Sequence, residues 1–426
     1  MKYVEFPDRS TWSELFSRPV TTGSATDEAV TRILNAVAQK GDDAIRELTS
    51  QIDGVNLESM RVSDAEISAA ANFVSAELKQ AIRIASDNIR KFHKFVICPE
   101  DSMETMPGIR VWRKSVPIES VGLYIPGGTA PLFSTVLMLA IPAKIAGCKR
   151  IVLCSPPDQG GKINPAILYA ANECGVNEIY KVGGAQAIAA MRYGTKTITR
   201  VNKIFGPGNS WVTKAKQLIA KDGFPIDMPA GPSELAVFAD ESVNPAFVAA
   251  DLLSQCEHGA DSQVVLVSTN KQVIDSVRGQ IELQVASLPR NEFASKSLSN
   301  SLAILVKTPE QGMELLNEYA PEHLILACER AEILSTQVVN AGSVFIGQWS
   351  PESAGDYATG TNHTLPTSGN AKGWSGVSVD SFVKKITFQR LTKEGLLQIA
   401  GTVETMAEAE GLTAHKNAVT IRMSEK

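Results

Sequence analysis

The chain has 426 residues, of which 44% are apolar and 20% charged, with a formal charge of −5. A chain of this length buries a sizeable core and divides into two or more domains, and its apolar content excludes intrinsic disorder. Charges of both signs are interspersed without a basic stripe, which argues against a nucleic-acid partner and for a small-molecule substrate.

The opening MKYVEFPDRSTWSELF mixes acidic and aromatic residues and lacks the basic stretch and apolar run of a secretory signal. Residues 26–95 read as mainly helical, with apolar positions at three- and four-residue spacing. They are expected to pack on the second of two α/β series that follow. The first series begins at residue 121: strand-like VGLYIP, helical PLFSTVLMLAIPAKIAGC, strand-like RIVLCS, helical NPAILYAANECG, strand-like EIYKVG and helical GAQAIAAMRYG. Such alternation builds βαβ units and a parallel sheet. After Ile204-Phe205 come the turn Gly206-Pro207-Gly208-Asn209 and a helical stretch from Trp211 to Ala220.

The second series starts near residue 235 with LAVFAD, helical NPAFVAADLLSQCEHG and strand-like QVVLVST. A helix from Lys271 to about Leu288, strand-like LAILVKT and a helix near 309–319 complete it. Two α/β series of similar size suggest an architectural duplication. The last stretch, from about Asp380, shows no sheet signal and is too small for a core of its own, so it is expected to dock on the body or on another subunit.

The longest apolar stretch, Val136 to Ala146, contains Pro142 and Lys144 and is too short to cross a bilayer, so no membrane partner is expected. The cysteines at 98, 148, 154, 174, 256 and 328 show no CxxC pairing and read as buried thiols of a reducing cytoplasm.

Polar chemistry concentrates in a few patches. Gln255 and His258 stand three apart in a predicted helix, so both can reach one ion; a helix end capped by Gly259 explains the same residues. Asp356 follows Gly355 in a Ser-, Gly- and Thr-rich stretch read as a loop, where a carboxylate also serves as a turn cap. His415 lies in the tail, in surroundings that are not of low complexity: Thr413-Ala414-His415-Lys416-Asn417. Together, a Gln, His, Asp and His set suits zinc or a similar divalent ion. Glu322 and His323 are adjacent, so they can act together only at a junction, which Pro321 supplies. A neutral imidazole is suited to take a proton from an alcohol, and a neighbouring carboxylate to activate water. A partly buried polar corner is the plainer alternative. Tyr124-Ile125-Pro126-Gly127-Gly128 and Gly206-Pro207-Gly208-Asn209 follow strands, where open α/β sheets bind ligands, but Trp211 occupies the place of the last glycine of a GxGxxG fingerprint. Cys256 between two site candidates on a helix faces elsewhere, which argues against covalent catalysis there.

In chain order the strings VGLYIPGG, VGGAQAIAA, KIFGPGN, IDMPAGPSE, SQCEHG, APEHL, SAGDYATGTNHTLPT, SVDSF and LTAHKNAV make the chain resemble the histidinol dehydrogenase family over essentially its whole length. The resemblance implies an α/β fold of two incomplete Rossmann-like domains, 121–234 and a discontinuous 26–120 with 235–375. An N-terminal arm (1–25) and a small, mostly helical C-terminal tail domain (376–426) would complete it. It implies an NAD-dependent, four-electron oxidation of L-histidinol to L-histidine through an enzyme-held aldehyde. Zn2+ would be held by Gln255, His258, Asp356 and His415, with His323 accepting the alcohol proton and Glu322 activating water. Ser233 and Glu410 would contact substrate, and Tyr124, Gln186 and Asn209 would contact NAD. It further implies a homodimer in which Glu410 and His415 enter the partner subunit's site. A related zinc and NAD dehydrogenase of another small amino alcohol or diol is the alternative, and a zinc hydrolase a more distant one.

Overall fold

The computed structural model describes residues 1–18, 24–97, 99–127, 131–229 and 231–424. Its strands, in chain order, are β1 (Lys2–Glu5), the pair β2 (Ser102–Met106) and β3 (Ile109–Pro117), then β4 (Ser120–Tyr124), β5 (Arg150–Ser155), β6 (Glu178–Lys181) and β7 (Lys203–Phe205). There follow β8 (Glu234–Ala239), β9 (Gln263–Ser268), β10 (Leu302–Leu305), β11 (His323–Ala327), β12 (Ser343–Ile346) and β13 (Val383–Leu391). The chain separates into one unit of residues 1–95 and 119–382 and a second of 96–118 and 383–426.

In the larger unit, both α/β series form parallel sheets as their alternation requires. The first has the order β6-β5-β4-β7, the second β1-β10-β9-β8-β11-β12. Strands β8, β9 and β11 are buried along their whole length, which is why they read as unbroken apolar runs. Each sheet has a point where successive strands change direction of growth, between β4 and β7 in the first and between β8 and β11 in the second. No helix among the described residues is long and apolar enough to cross a membrane.

The opening residues are more than an arm: β1 pairs in parallel with β10, Lys2 opposite Leu302, and forms the edge of the second sheet. Residues 26–95 also differ from expectation. Val30, Leu34 and Val37 of the helix Ser24–Lys40, with Ala44, Ile45 and Met60, join the core of the first series and not the second. They meet Ala187, Ile188 and Met191 of the helix Gly184–Tyr193 and Val212, Ala215 and Ile219 of the helix Ser210–Lys221. Periodicity reveals that a helix has a buried face; it does not reveal which sheet covers it.

The second unit contains a sheet of order β13-β3-β2, antiparallel throughout, with Trp112 and Phe388 stacked at 5.4 Å. The strand β13 corrects the reading of a tail without sheet signal. Its sequence, VKKITFQRL, spreads charges along a mostly exposed strand, and so lacks the strong apolar alternation that a half-buried strand shows. The helices Lys393–Ala409 and Thr413–Ser424 complete this unit.

Two features make predictions. Gly206, directly after β7, has φ 126°, and a Cβ there would collide with the backbone of Tyr124. Gly206→Ala is expected to cost about 2 kcal/mol or more, read as a lowered denaturant midpoint. His93, in the last turn of the helix Ala76–Phe95, is fully buried with no hydrogen-bond partner on either ring nitrogen, and burial pushes its pKa down to about 4. The unfolded chain therefore takes up the proton first. Stability is full above pH 6.5 and falls by up to roughly 3 kcal/mol as pH drops towards 4. His93→Leu should flatten the melting temperature across that window.

Candidate active site

The polar residues singled out in the sequence from 233 to 356 converge at the amino ends of β8 and β11. The helix Pro309–Tyr319 stops at Ala320, whose left-handed backbone (φ 51°) and the following Pro321 turn the chain into β11. Glu322 and His323 therefore sit at a junction, as their adjacency demands, both buried. Gly342 makes room for this turn: a Cβ there would meet the Glu322 carbonyl, which accepts the Ser343 amide at 2.9 Å.

Glu234, at the start of β8, touches both members of the pair through its backbone. Its amide donates to Glu322 Oε2 at 2.9 Å, and its carbonyl lies 3.3 Å from His323 Nδ1. A carbonyl only accepts, so Nδ1 carries the proton it donates. Nε2 then points towards Asp356 Oδ1 at 3.4 Å, and neither of these two atoms has a hydrogen-bond partner.

Asp356 lies in a helix, Glu352–Tyr357, and not in a loop as the local Gly and Ser content suggested. The helix brings Glu352, one turn earlier, into the same cluster; its Oε1 is 3.9 Å from His323 Nδ1 and its Oε2 accepts from Ser254 Oγ at 3.2 Å. Gln255 and His258 come from the end of the helix Pro245–Cys256. The helix closes before His258, with Glu257 as C-cap and the His258 amide donating to the Gln255 carbonyl, so the two do not share a regular helical face. Gln255 is buried, and with its amide assigned by its neighbours the nitrogen donates to both oxygens of Glu352, leaving the amide oxygen free to face elsewhere. Donor atoms of His258, Glu352 and Asp356 all lie within 4.8 Å of one another. Ser233 is half-buried immediately before Glu234, and its carbonyl accepts the Gln263 amide. Cys256 is fully buried and burial raises its thiol pKa to about 12, which leaves no thiolate for catalysis.

The charges of this cluster shape one another. Burial raises the Glu322 carboxyl to about 8, against the opposing pull of His323. Burial works against an imidazolium at His323, yet the charge of Glu322, the contact with Asp356 and the charge of Glu352 outweigh it and hold the pKa at about 10. Glu352 rises to about 7, chiefly by burial. Asp356 is held below its ordinary value despite burial, because His323 favours its charged form.

Three further residues are absent from the candidates that the sequence offered. Arg18 forms a bidentate ion pair with buried Glu234, one contact being Nη2 to Oε2 at 3.1 Å, and also donates to the Tyr319 carbonyl at 2.7 Å. His363 bridges the Asp356 carbonyl, 3.0 Å from Nδ1, and Thr135 Oγ1, 3.1 Å from Nε2. Glu352 was within reach of sequence reasoning, since it stands four residues before Asp356, one helical turn away.

The residues expected near a dinucleotide lie elsewhere, at the carboxyl ends of the first sheet. Tyr124 ends β4, and its hydroxyl accepts the Gly184 amide at 3.1 Å. Gln186, buried, stands in the first turn of the helix Gly184–Tyr193, and Asn209 caps the helix Ser210–Lys221 by accepting the amides of Trp211 and Val212. These positions flank the β4/β7 reversal, where open α/β sheets bind ligands. Gly128 of the first turn and Ala230 of the AGPSE string are outside the described residues, as is Cys98. Glu410 caps the helix Lys393–Ala409 of the second unit, and His415 is exposed in the helix Thr413–Ser424.

Two parallel sheets, one of them carrying a buried histidine–carboxylate cluster at its strand ends, define a mixed α/β fold. The family model for histidinol dehydrogenase matches residues 16–423. A histidinol dehydrogenase of Bacteroides fragilis is 56% identical over 425 residues, spanning 100% of this chain and 99% of that protein. One of Vibrio parahaemolyticus is 51% identical over 414 residues, or 96% of this chain and 95% of the relative. The crystal structure of histidinol dehydrogenase from Elizabethkingia anophelis superposes with a TM-score of 0.97 at 52% identity, covering 99% of this chain and 98% of that one. The chain belongs to the histidinol dehydrogenase family.

The buried pair that supports this cluster can be tested directly. Arg18→Met strands the Glu234 charge and is expected to cost about 3–5 kcal/mol of stability. Adding Glu234→Gln, which keeps an acceptor for the Ser368 amide while removing the charge, should restore most of it; urea denaturation measures both.

Proposed function

We propose that the protein oxidises L-histidinol to L-histidine through an enzyme-held L-histidinaldehyde, with two NAD molecules each accepting a hydride. The observation that carries this reading is the convergence of Glu322, His323, His258 and Asp356, from three separate stretches of chain, into one buried cluster in a member of this family.

The donors fit a divalent ion. His258, Glu352 and Asp356 offer nitrogen and oxygen atoms, and Asp356 Oδ1 and His323 Nε2 lack partners. We take Gln255, His258 and Asp356, with His415 of the partner subunit, as ligands of one Zn2+, and Glu352 as the group that orients the Gln255 amide. When bound, the ion supplies positive charge that offsets the carboxylates holding His323 protonated, and it fixes the substrate imidazole and amine.

The chain's own groups then divide the work. Glu234 holds the Nδ1 proton, so neutral His323 accepts the alcohol proton at Nε2 as hydride leaves the adjacent carbon for NAD. Water adds to the resulting aldehyde with Glu322 taking its proton, and the hydrate gives the second hydride to a second NAD, leaving the carboxylic acid. Ser233, and Glu410 of the partner subunit, contact the substrate. Tyr124, Gln186 and Asn209 receive NAD at the β4/β7 crevice, where the amino end of the Asn209-capped helix suits a pyrophosphate. A homodimer is supported by apolar side chains that the second unit leaves exposed, among them Leu397, Met406 and Ile421. A cytoplasmic setting is supported by five free, buried cysteines among the described residues.

The test is the ratio of NADH formed to L-histidinol consumed, with and without a chelator. Two NADH per histidinol, lost on chelation, is expected; no NADH overturns the proposal. Glu322→Gln should slow oxidation of the aldehyde by about 10²–10⁴-fold while sparing the first step, so the ratio of NADH to histidinol falls.

A further inference from the structure

We propose that Arg18 is a positioning residue for the Glu322–His323 pair, which it sets in place by gripping the two backbone segments that flank it. The inference rests on the reading of that pair as the proton-handling groups of the reaction.

On one side, Arg18 is bonded to the Glu234 carboxylate through Nε and Nη2. Glu234 in turn holds Glu322 by its amide and His323 by its carbonyl, at 2.9 and 3.3 Å. On the other side, Arg18 Nη2 donates to the Tyr319 carbonyl at 2.7 Å, and the guanidinium lies over the Tyr319 ring, 4.4 Å from its centroid. From Tyr319 only Ala320, in a left-handed conformation, and Pro321, with its fixed φ, separate this anchor from Glu322. The path is short and stiff on both sides. A shift of the guanidinium therefore reaches the Glu322 carboxylate and the His323 ring together.

The chemistry explains why an arginine stands here. Its planar fork engages a carboxylate with two nitrogens while donating to a carbonyl and stacking on a ring, three roles that a lysine ammonium on a flexible stem does not combine. The Glu234 carboxylate is completed by the Ser368 amide at 3.0 Å, so each charge in the anchor is paired.

Steady-state kinetics with L-histidinol and NAD test the role. The double variant Arg18→Met/Glu234→Gln leaves no stranded buried charge and is expected to fold, with near-ultraviolet circular dichroism like that of the parent. Its kcat should drop roughly 100-fold while KM for histidinol stays within about three-fold, the signature of displaced reacting groups and intact binding. In Arg18→Ala, millimolar guanidinium should restore kcat, and ammonium should not. A folded double variant with parental kcat overturns the proposal, as does a guanidinium effect that appears in the circular dichroism spectrum along with kcat, since that marks a purely structural role. Absence of NADH from the unaltered protein would overturn the functional reading as well, whereas failure of the variants alone to lose kcat leaves that reading standing.

Discussion

The structure depends on how it tolerates several buried carboxylates in one place. Glu234, Glu322, Glu352 and Asp356 gather at the amino ends of two parallel strands, in surroundings that strongly penalise an unpaired charge. Arg18 meets Glu234, the Gln255 amide meets Glu352, and His323 stands among Glu322, Glu352 and Asp356. The cationic side chains are too few for the anions, and the balance falls to protonation or to a bound cation. A proton is therefore held tightly on His323, and an added positive charge would be felt immediately by every member of the group.

The two sheets carry their candidate residues at opposite ends. In the first, the side chains proposed to meet a dinucleotide stand at the carboxyl ends of strands beside the β4/β7 reversal, in keeping with general experience of open α/β sheets. In the second, the titratable cluster occupies the amino ends of β8 and β11, also beside a reversal. Strand-to-strand pairing fixes His323 opposite Leu235 and Ser343, so the imidazole is carried by rigid backbone and not by a loop. His363, held between Thr135 and the Asp356 carbonyl, ties a helix that follows β4 to the polypeptide around the cluster.

Much of this architecture could be read from residue order. Strands β4 to β10 and their helices announced themselves because parallel strands covered on both faces are written as continuous apolar runs between helical periods. The junction at Pro321 was legible because proline restricts the residue before it. What escaped detection shares one physical cause: long-range complementarity leaves no local trace. Arg18 and Glu234 are ordinary charged residues until the fold brings them together, and the burial of His93 follows from packing that its own helix does not encode. The strand β13 escaped for a different reason, since its exposed, charge-rich sequence satisfies a sheet ladder without an apolar alternation. Glu352 is the intermediate case, recognisable only once Asp356 is placed on a helix.

The parallel pairing of β1 with β10 also governs how the molecule can be made. Lys2 lies opposite Leu302, so β1 has no partner until about three hundred further residues have left the ribosome. At ordinary elongation rates that delay is on the order of tens of seconds. During it, Tyr3 and Val4 offer an unpaired edge, while the first α/β series, whose strands β4 to β7 pair with one another within residues 120–205, is free to assemble. Nascent chains should thus pass through a stage in which one half is folded and β1 awaits the rest of its sheet, and chaperone demand should centre on that interval.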